Sequence, residues 1–124
     1  MQGEIQPEQW HTYLDQFTKR NGGRVAGLQV ISEELGTQKE AEMLPFEGIT
    51  LETKGSLASS VEIMLGGTGP ADGRNLTHTI PKVRSIVPKT GADGRDDGLE
   101  IEGDDGAKTI LIFKTLSELP EAAS

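Results

Sequence analysis

The chain contains no cysteine, two histidines and only five aromatic residues among its 124. Without cysteine there can be no disulfide, no thiolate metal site and no cysteine nucleophile. That composition suits a reducing compartment, so a cytoplasmic location is expected. No apolar run approaches the roughly 18 residues that a membrane helix needs. The first ten residues, MQGEIQPEQW, hold no apolar h-region, so no signal peptide is expected. Lys and Arg are not clustered. Nucleic acids and anionic membrane surfaces both demand such clusters, and neither is an expected partner. Nothing in the sequence calls for a cofactor.

What the chain does have is negative charge, unevenly placed. The net charge is −8. Residues 1–92 carry 11 acids against 9 bases, and residues 106–124 are balanced. Between them, residues 93–105 carry seven acids against Arg95 alone. This charge favours solubility and leaves a basic protein, a divalent cation or a second copy of the chain as partners. The length suits a single domain, 1–124, with a core over about residues 8–114 and a frayed tail at 115–124. A chain of this size buries roughly 65% of its unfolded surface, enough for a core without staples.

Pro7 can open a helix, where its missing N–H costs nothing. Trp10, Tyr13, Leu14 and Phe17 then fall at i, i+3, i+4 and i+7 on one helical face. Lys19 and Arg20 suit the C-terminal end of the dipole, and Gly22-Gly23 stops the helix. This stripe holds three of the five aromatics, so the helix is expected to plug the open side of a sheet. Arg24 to Ile31 reads as a strand with apolar residues on both faces, hence a central one. In residues 33–48, Thr37 and Glu40 match a capping box and Pro45 a stop, which predicts a short helical turn over 38–44. Ile49–Thr53 and Val61–Leu65 alternate and should pair as a hairpin across residues 54–60. A Gly-rich loop at 66–75 leads to Leu76–Ile80, and Val83–Val87 follows.

The most informative stretch is 97–114, DGLEIEGDDGAKTILIFK. Asp-Gly between two strand-like runs is a strong hairpin signal. A two-residue turn at Asp105-Gly106 would set Ile101 opposite Ile110 and Leu99 opposite Ile112. Glu100 and Glu102 would then guard a solvated edge. The expected fold is α+β: an N-terminal helix packed on a curled antiparallel sheet, barrel- or sandwich-like, of about six to seven strands.

Candidate chemistry is sparse. Asp93, Arg95, Asp97 and Gly98 occupy positions 1, 3, 5 and 6 of an EF-hand-like count, with Asp104 at position 12. Asp93, Asp97 and Asp104 are therefore the candidate metal ligands, although Arg95 stands where a ligand belongs. Gly66-Gly67-Thr68-Gly69 lacks the Lys-Ser/Thr of a phosphate loop. In GADGRDDG, residues 91–98, the acids would repel phosphate. His78 alternates with Leu76 and Ile80 and so shares their inward face, where it must find a partner or stay neutral. It is the candidate ligand-binding residue, with Ser56, Ser59, Ser60 and Ser85 as conceivable nucleophiles. No Gly-x-Ser-x-Gly elbow is present, and no catalytic residue is assigned.

The segment Glu34-Leu35-Gly36-Thr37-Gln38-Lys39-Glu40-Ala41-Glu42-Met43-Leu44-Pro45-Phe46-Glu47-Gly48-Ile49 resembles a small bacterial domain-of-unknown-function family, DUF family 5335. Leu76-Thr77-His78-Thr79-Ile80-Pro81 and the 99–113 hairpin are similar to its later motifs. The likeness covers about residues 8–114. The chain departs at GGTGPADGR, residues 66–74, which is long and Gly-rich for the family, and at Pro81, which comes early. The resemblance implies a bacterial single-domain protein and supplies no catalytic residue or ligand. The functional expectation is a non-catalytic interaction or accessory domain acting through a protein surface or by self-association. The alternative is a small-ligand or divalent-metal module, built on the acidic 93–105 region and His78, with weak hydrolase chemistry.

Overall fold

Among the described residues, the chain after Gly22 forms strands joined by turns, and one short α-helix covers them. The computed structural model describes residues 3–53, 59–66 and 76–114. A short 3-10 turn (Pro7–Gln9) leads into α1 (Trp10–Asn21). Seven strands follow: β1 (Val25–Ser32), β2 (Gly36–Glu52), β3 (Ser60–Leu65), β4 (Leu76–Ile80), β5 (Val83–Thr90), β6 (Asp96–Gly103) and β7 (Lys108–Phe113). All neighbours are antiparallel, in the order β4-β3-β2-β1-β7-β6-β5. No described helix is long and apolar enough to cross a membrane. The expected tail at 115–124, most of the connection at 54–60 and most of the loop at 66–75 lie outside the described residues.

The sheet curls without closing into a barrel. Its two end strands, β4 and β5, are not hydrogen-bonded to each other, yet only Pro81 and Lys82 join them in the chain. At that corner the Val83 N–H donates to the Ser59 carbonyl at 2.9 Å and the Asp104 N–H to the Lys82 carbonyl at 2.9 Å. The β5 edge also receives the N-terminal segment, through the Ile5 N–H on the Ile86 carbonyl at 2.8 Å.

The inward faces follow the two-residue period of the strands. Ala26, Leu28, Phe46, Ile49, Val61, Ile63, Leu65, Ile86, Leu99, Ile101, Leu111 and Phe113 are all buried. The α1 stripe seals the concave side as its spacing predicts, with Trp10, Leu14 and Phe17 buried. Phe17 packs between Phe46 and Phe113, with ring centroids 5.6 Å from each, and those two are 5.5 Å apart. Polar bonds fix the helix in place. The Thr18 hydroxyl donates to the Ile49 carbonyl and accepts from the Ile49 N–H, at 3.1 and 3.0 Å. The Trp10 indole N–H donates to the Ile5 carbonyl at 3.0 Å.

The short helical turn expected over 38–44 is not present; these residues belong to β2. The capping-box pattern is a local preference, and pairing with β1 overrides it. Extended, the segment sets Leu28 opposite Ala41 and Ala26 opposite Leu44. A compact helix would leave that side of β1 without its backbone partners. Pro45 is tolerated because β2 changes partner there, from β1 to β3. Bulges interrupt the register on either side of it, and Pro needs such irregular positions within a sheet.

The last hairpin differs by one residue from the expected register. Ile101 faces Thr109 and Leu99 faces Leu111, leaving Ile110 and Ile112 on the other side. The turn has three residues rather than two. The Gly103 N–H meets the Ala107 carbonyl at 3.1 Å, and Gly106 alone takes a positive φ, of 86°. That is a type I turn followed by a left-handed glycine, the common three-residue alternative to type I′. Nor is β6 an edge. Glu100 lies between Lys89 of β5 and Lys108 of β7, at 3.6 and 3.8 Å, and Glu102 pairs with Arg84 of β5.

Gly98 is the tightest point of this half of the sheet. A Cβ there would lie 1.9 Å from the Leu111 carbonyl oxygen, and the backbone φ is 158°. Gly98→Ala should lower unfolding stability by about 2–4 kcal/mol, from backbone strain and displacement of β7. Urea denaturation would show this as a reduced midpoint with an unchanged slope.

Candidate functional site

The aspartates of residues 93–105 are divided between the two ends of β6, and Asp93 and Asp105 build turns. In Gly91-Ala92-Asp93-Gly94-Arg95 the Gly91 N–H donates to the Arg95 carbonyl and the Gly94 N–H to the Gly91 carbonyl, at 2.9 and 3.0 Å. The Asp93 carboxylate accepts from the Arg95 N–H at 3.0 Å. Gly103-Asp104-Asp105-Gly106-Ala107 repeats the arrangement, with the Asp105 carboxylate accepting from the Ala107 N–H at 3.0 Å. Asp and Gly recur here because a short carboxylate can hold the turn while glycine takes the left-handed position.

Of the candidate metal ligands, Asp93 and Asp97 come together. Their carboxylates lie 3.2 and 3.0 Å from where a Cβ on Gly91 would sit. Asp104 belongs to the turn at the opposite end of β6, an eight-residue strand about 25 Å long. The EF-hand-like count fails because the residues between positions 5 and 12 form a strand rather than a loop. Among the described residues no group of three or more His, Asp or Glu side chains is placed to hold a metal ion.

His78 sits on the inward face of β4, opposite Ile63, as its alternation with Leu76 and Ile80 predicts. It is half-buried, and its Nε2 lies 3.4 Å from the hydroxyl of Thr109, a buried residue of β7 on the far side of the curl. Burial lowers its pKa below the ordinary 6.5, against a smaller opposite effect of the Glu40 charge. Among the described residues the hydroxyl beside His78 is therefore that of Thr109. Ser59, Ser60 and Ser85 form no hydrogen bond with it, and Ser56 lies outside the described residues.

A third group, built around Asp96, was not expected. α1 ends at Asn21, β1 starts at Val25, and the chain between them carries Arg24. All three neighbouring polar side chains converge on the first residue of β6. Asp96 accepts from Arg20 through Nε at 2.9 Å and Nη2 at 3.4 Å, and from Asn21 Nδ2 at 2.8 Å. Arg24 Nη1 donates to the Asp96 carbonyl at 2.9 Å and to Asn21 Oδ1 at 2.8 Å. The Arg24 guanidinium lies 4.3 Å from the Phe113 ring centre, and that of Arg20 lies 5.8 Å from the Tyr13 centre. Burial alone would raise the Asp96 pKa. The hydrogen bonds from Arg20 and Asn21, with the charges of Arg20 and Arg24, outweigh it and hold the carboxyl below the ordinary 3.8. An open cleft of about 630 Å³ adjoins the cluster, lined by Arg20, Asn21, Arg24, Gly94, Arg95 and Asp96. In the sequence, Arg20 carries only the signal of a helix C-terminus, and nothing local announces a partner 76 residues away.

Two stability predictions follow from these groups. Asp96→Ala should cost about 1–3 kcal/mol, since it removes the carboxylate that accepts from Arg20 and Asn21. Because the Asp96 pKa is depressed on folding, its contribution is complete above 3.8 and is lost as pH falls from there toward the folded value; the variant should lack that loss. The His78 pKa is also depressed, so folding favours the neutral ring. Its contribution should decline as pH drops through 6.5 and continue to decline until the folded value is passed. Urea midpoints at pH 7.5 and 5.0 would reveal this decline in the natural chain and a smaller one in His78→Gln.

The chain matches the family described as "Family of unknown function (DUF5335)" over residues 1–122. It is 28% identical over 117 residues to an uncharacterized protein of Aquifex aeolicus (strain VF5), covering 94% of this chain and 96% of that one. No solved structure matches it significantly. With nearly the whole chain matched, this protein belongs to the DUF5335 family.

Proposed function

We propose that this chain is a non-catalytic interaction module of the cytoplasm that self-associates along β4. The supporting observation is the asymmetry of the two sheet edges. β5 is covered at Ile86 by the N-terminal segment, whereas the outer edge of β4 has no backbone partner among the described residues. Exposed edges are commonly guarded by Lys, Pro or inward-pointing charges. Leu76-Thr77-His78-Thr79-Ile80 carries neither Lys nor an acid. It is also nearly symmetric about His78. In a two-fold antiparallel pairing centred there, Thr77 faces Thr79 of the second copy and Leu76 faces its Ile80. Cross-strand Thr–Thr and aliphatic pairs are favourable. Five residues give a small contact, so the association is weak and reversible.

A second reading, a divalent-cation or small-ligand module, draws on the meeting of Asp93 and Asp97 beside Gly91 and on the half-buried His78. Calorimetry with Ca²⁺, Mg²⁺ and Zn²⁺ tests it. Heat abolished by Asp97→Ala would establish that reading.

For the edge itself, light scattering coupled to size exclusion should show the mean mass rising with concentration from about 10 μM to 1 mM, the range of weak contacts. The double variant Thr77→Lys and Thr79→Lys, which sets like charges opposite one another, should remain monomeric with an unchanged melting temperature. A natural chain that stays monomeric throughout would refute self-association.

A further inference from the structure

We infer that the cleft between the end of α1 and the β5–β6 turn binds a small organic phosphate monoester, held by Arg24 and Arg95. The chain as a whole repels anions, yet this cleft is lined by three guanidinium groups against the single carboxylate of Asp96. Arg20 is committed to that carboxylate through two nitrogens. Arg24 spends only Nη1 on protein acceptors, the Asn21 side chain and the Asp96 carbonyl. Arg95 has no ion-pair partner among the described residues, although its backbone is fixed by the Asp93 carboxylate. Two guanidinium charges thus remain for a ligand, which matches a group carrying close to two negative charges at neutral pH.

Arg24 is also held in place before any ligand arrives. The Arg24 guanidinium lies against the Phe113 ring, and its direction is set by the two bonds from Nη1. Planar, fork-shaped donors fixed in this way recognise phosphate through paired hydrogen bonds, where lysine offers only a point charge. Asp93 and Asp97 stand near Gly91 and oppose an anion on that side, so the favourable ground lies toward the Arg24 guanidinium. The volume of about 630 Å³ falls inside the roughly 300–1,000 Å³ of small-molecule sites and exceeds what an inorganic ion fills, hence an organic body on the phosphate.

The test titrates the full chain with phenyl phosphate and with inorganic phosphate, following arginine side-chain N–H resonances by NMR at constant ionic strength against a chloride control. Saturable shifts at Arg24 and Arg95 are expected, with phenyl phosphate the tighter ligand. Arg95→Gln, at an exposed turn position, should fold normally and weaken binding about tenfold or more. Arg24→Lys, which keeps the charge and loses the fork, should weaken it as well. Equal affinity for the two probes would overturn the organic ligand and leave inorganic phosphate. Shifts no larger than those with chloride, or an Arg95→Gln variant that binds unchanged, would overturn the site.

Discussion

Burial of Phe17 between Phe46 and Phe113 is the contact on which the architecture rests. An antiparallel sheet that curls without closing has a concave apolar face and an open mouth, and something must cover it. α1 does so with one stripe, and Phe17 is its deepest member. Its two aromatic neighbours on the sheet come from β2 and β7, the strands that flank β1 on either side. One side chain thus ties the helix to both halves of the sheet. Burial of a phenylalanine contributes about 1.5–3 kcal/mol from area alone, and the tilted and stacked rings add to it.

The polar contacts at the two sides of α1 make sense around that burial. Hydrophobic contact is not directional, so a helix lying on a concave surface could rotate or slide. Thr18, bonded twice to Ile49, fixes it over β2. Asp96, gripped by Arg20 and Asn21, fixes its end over β6. Arg24 lies between the two systems, over the Phe113 ring and bonded to the Asp96 carbonyl. The charged cluster is thereby continuous with the aromatic one, and the cationic cleft inherits its rigidity from the core beneath.

Residue patterns revealed most of this fold and little of the site, for reasons of distance along the chain. The spacing of Trp10, Tyr13, Leu14 and Phe17 is a local property of one helix face, and the inward sets Val61, Ile63, Leu65 and Leu76, His78, Ile80 are local to single strands. Patterns of that kind are legible. Where a local pattern competes with a non-local partner, it misleads. Thr37 and Glu40 suggest a helix, yet β1 needs a neighbour and takes residues 36–45 as one. Asp105-Gly106 suggests a two-residue turn, but Gly103 and the Asp105 carboxylate favour a longer one, and a single residue of difference turns Ile110 and Ile112 to the opposite face. The parity of His78 could be read; its partner Thr109, on a strand across the curl, could not.

Charge illustrates the same limit in another form. A net of −8, with most of the excess in thirteen consecutive residues, describes the chain as an object that attracts cations. Folding redistributes that excess. Glu100 and Glu102 are neutralised by Lys89, Lys108 and Arg84 on neighbouring strands, Asp93 and Asp105 are occupied in turns, and Asp96 is enclosed by arginines. Arg95, the one base in that acidic stretch, stands in the sequence as the flaw in a metal-binding count. In the fold it joins Arg20 and Arg24, which come from residues far earlier in the chain. At an ionic strength of 0.15 M, charges beyond about 8 Å are largely screened, so a bound anion responds to these near neighbours more than to the total. Local convergence, and not the sum over the sequence, sets what this surface can hold.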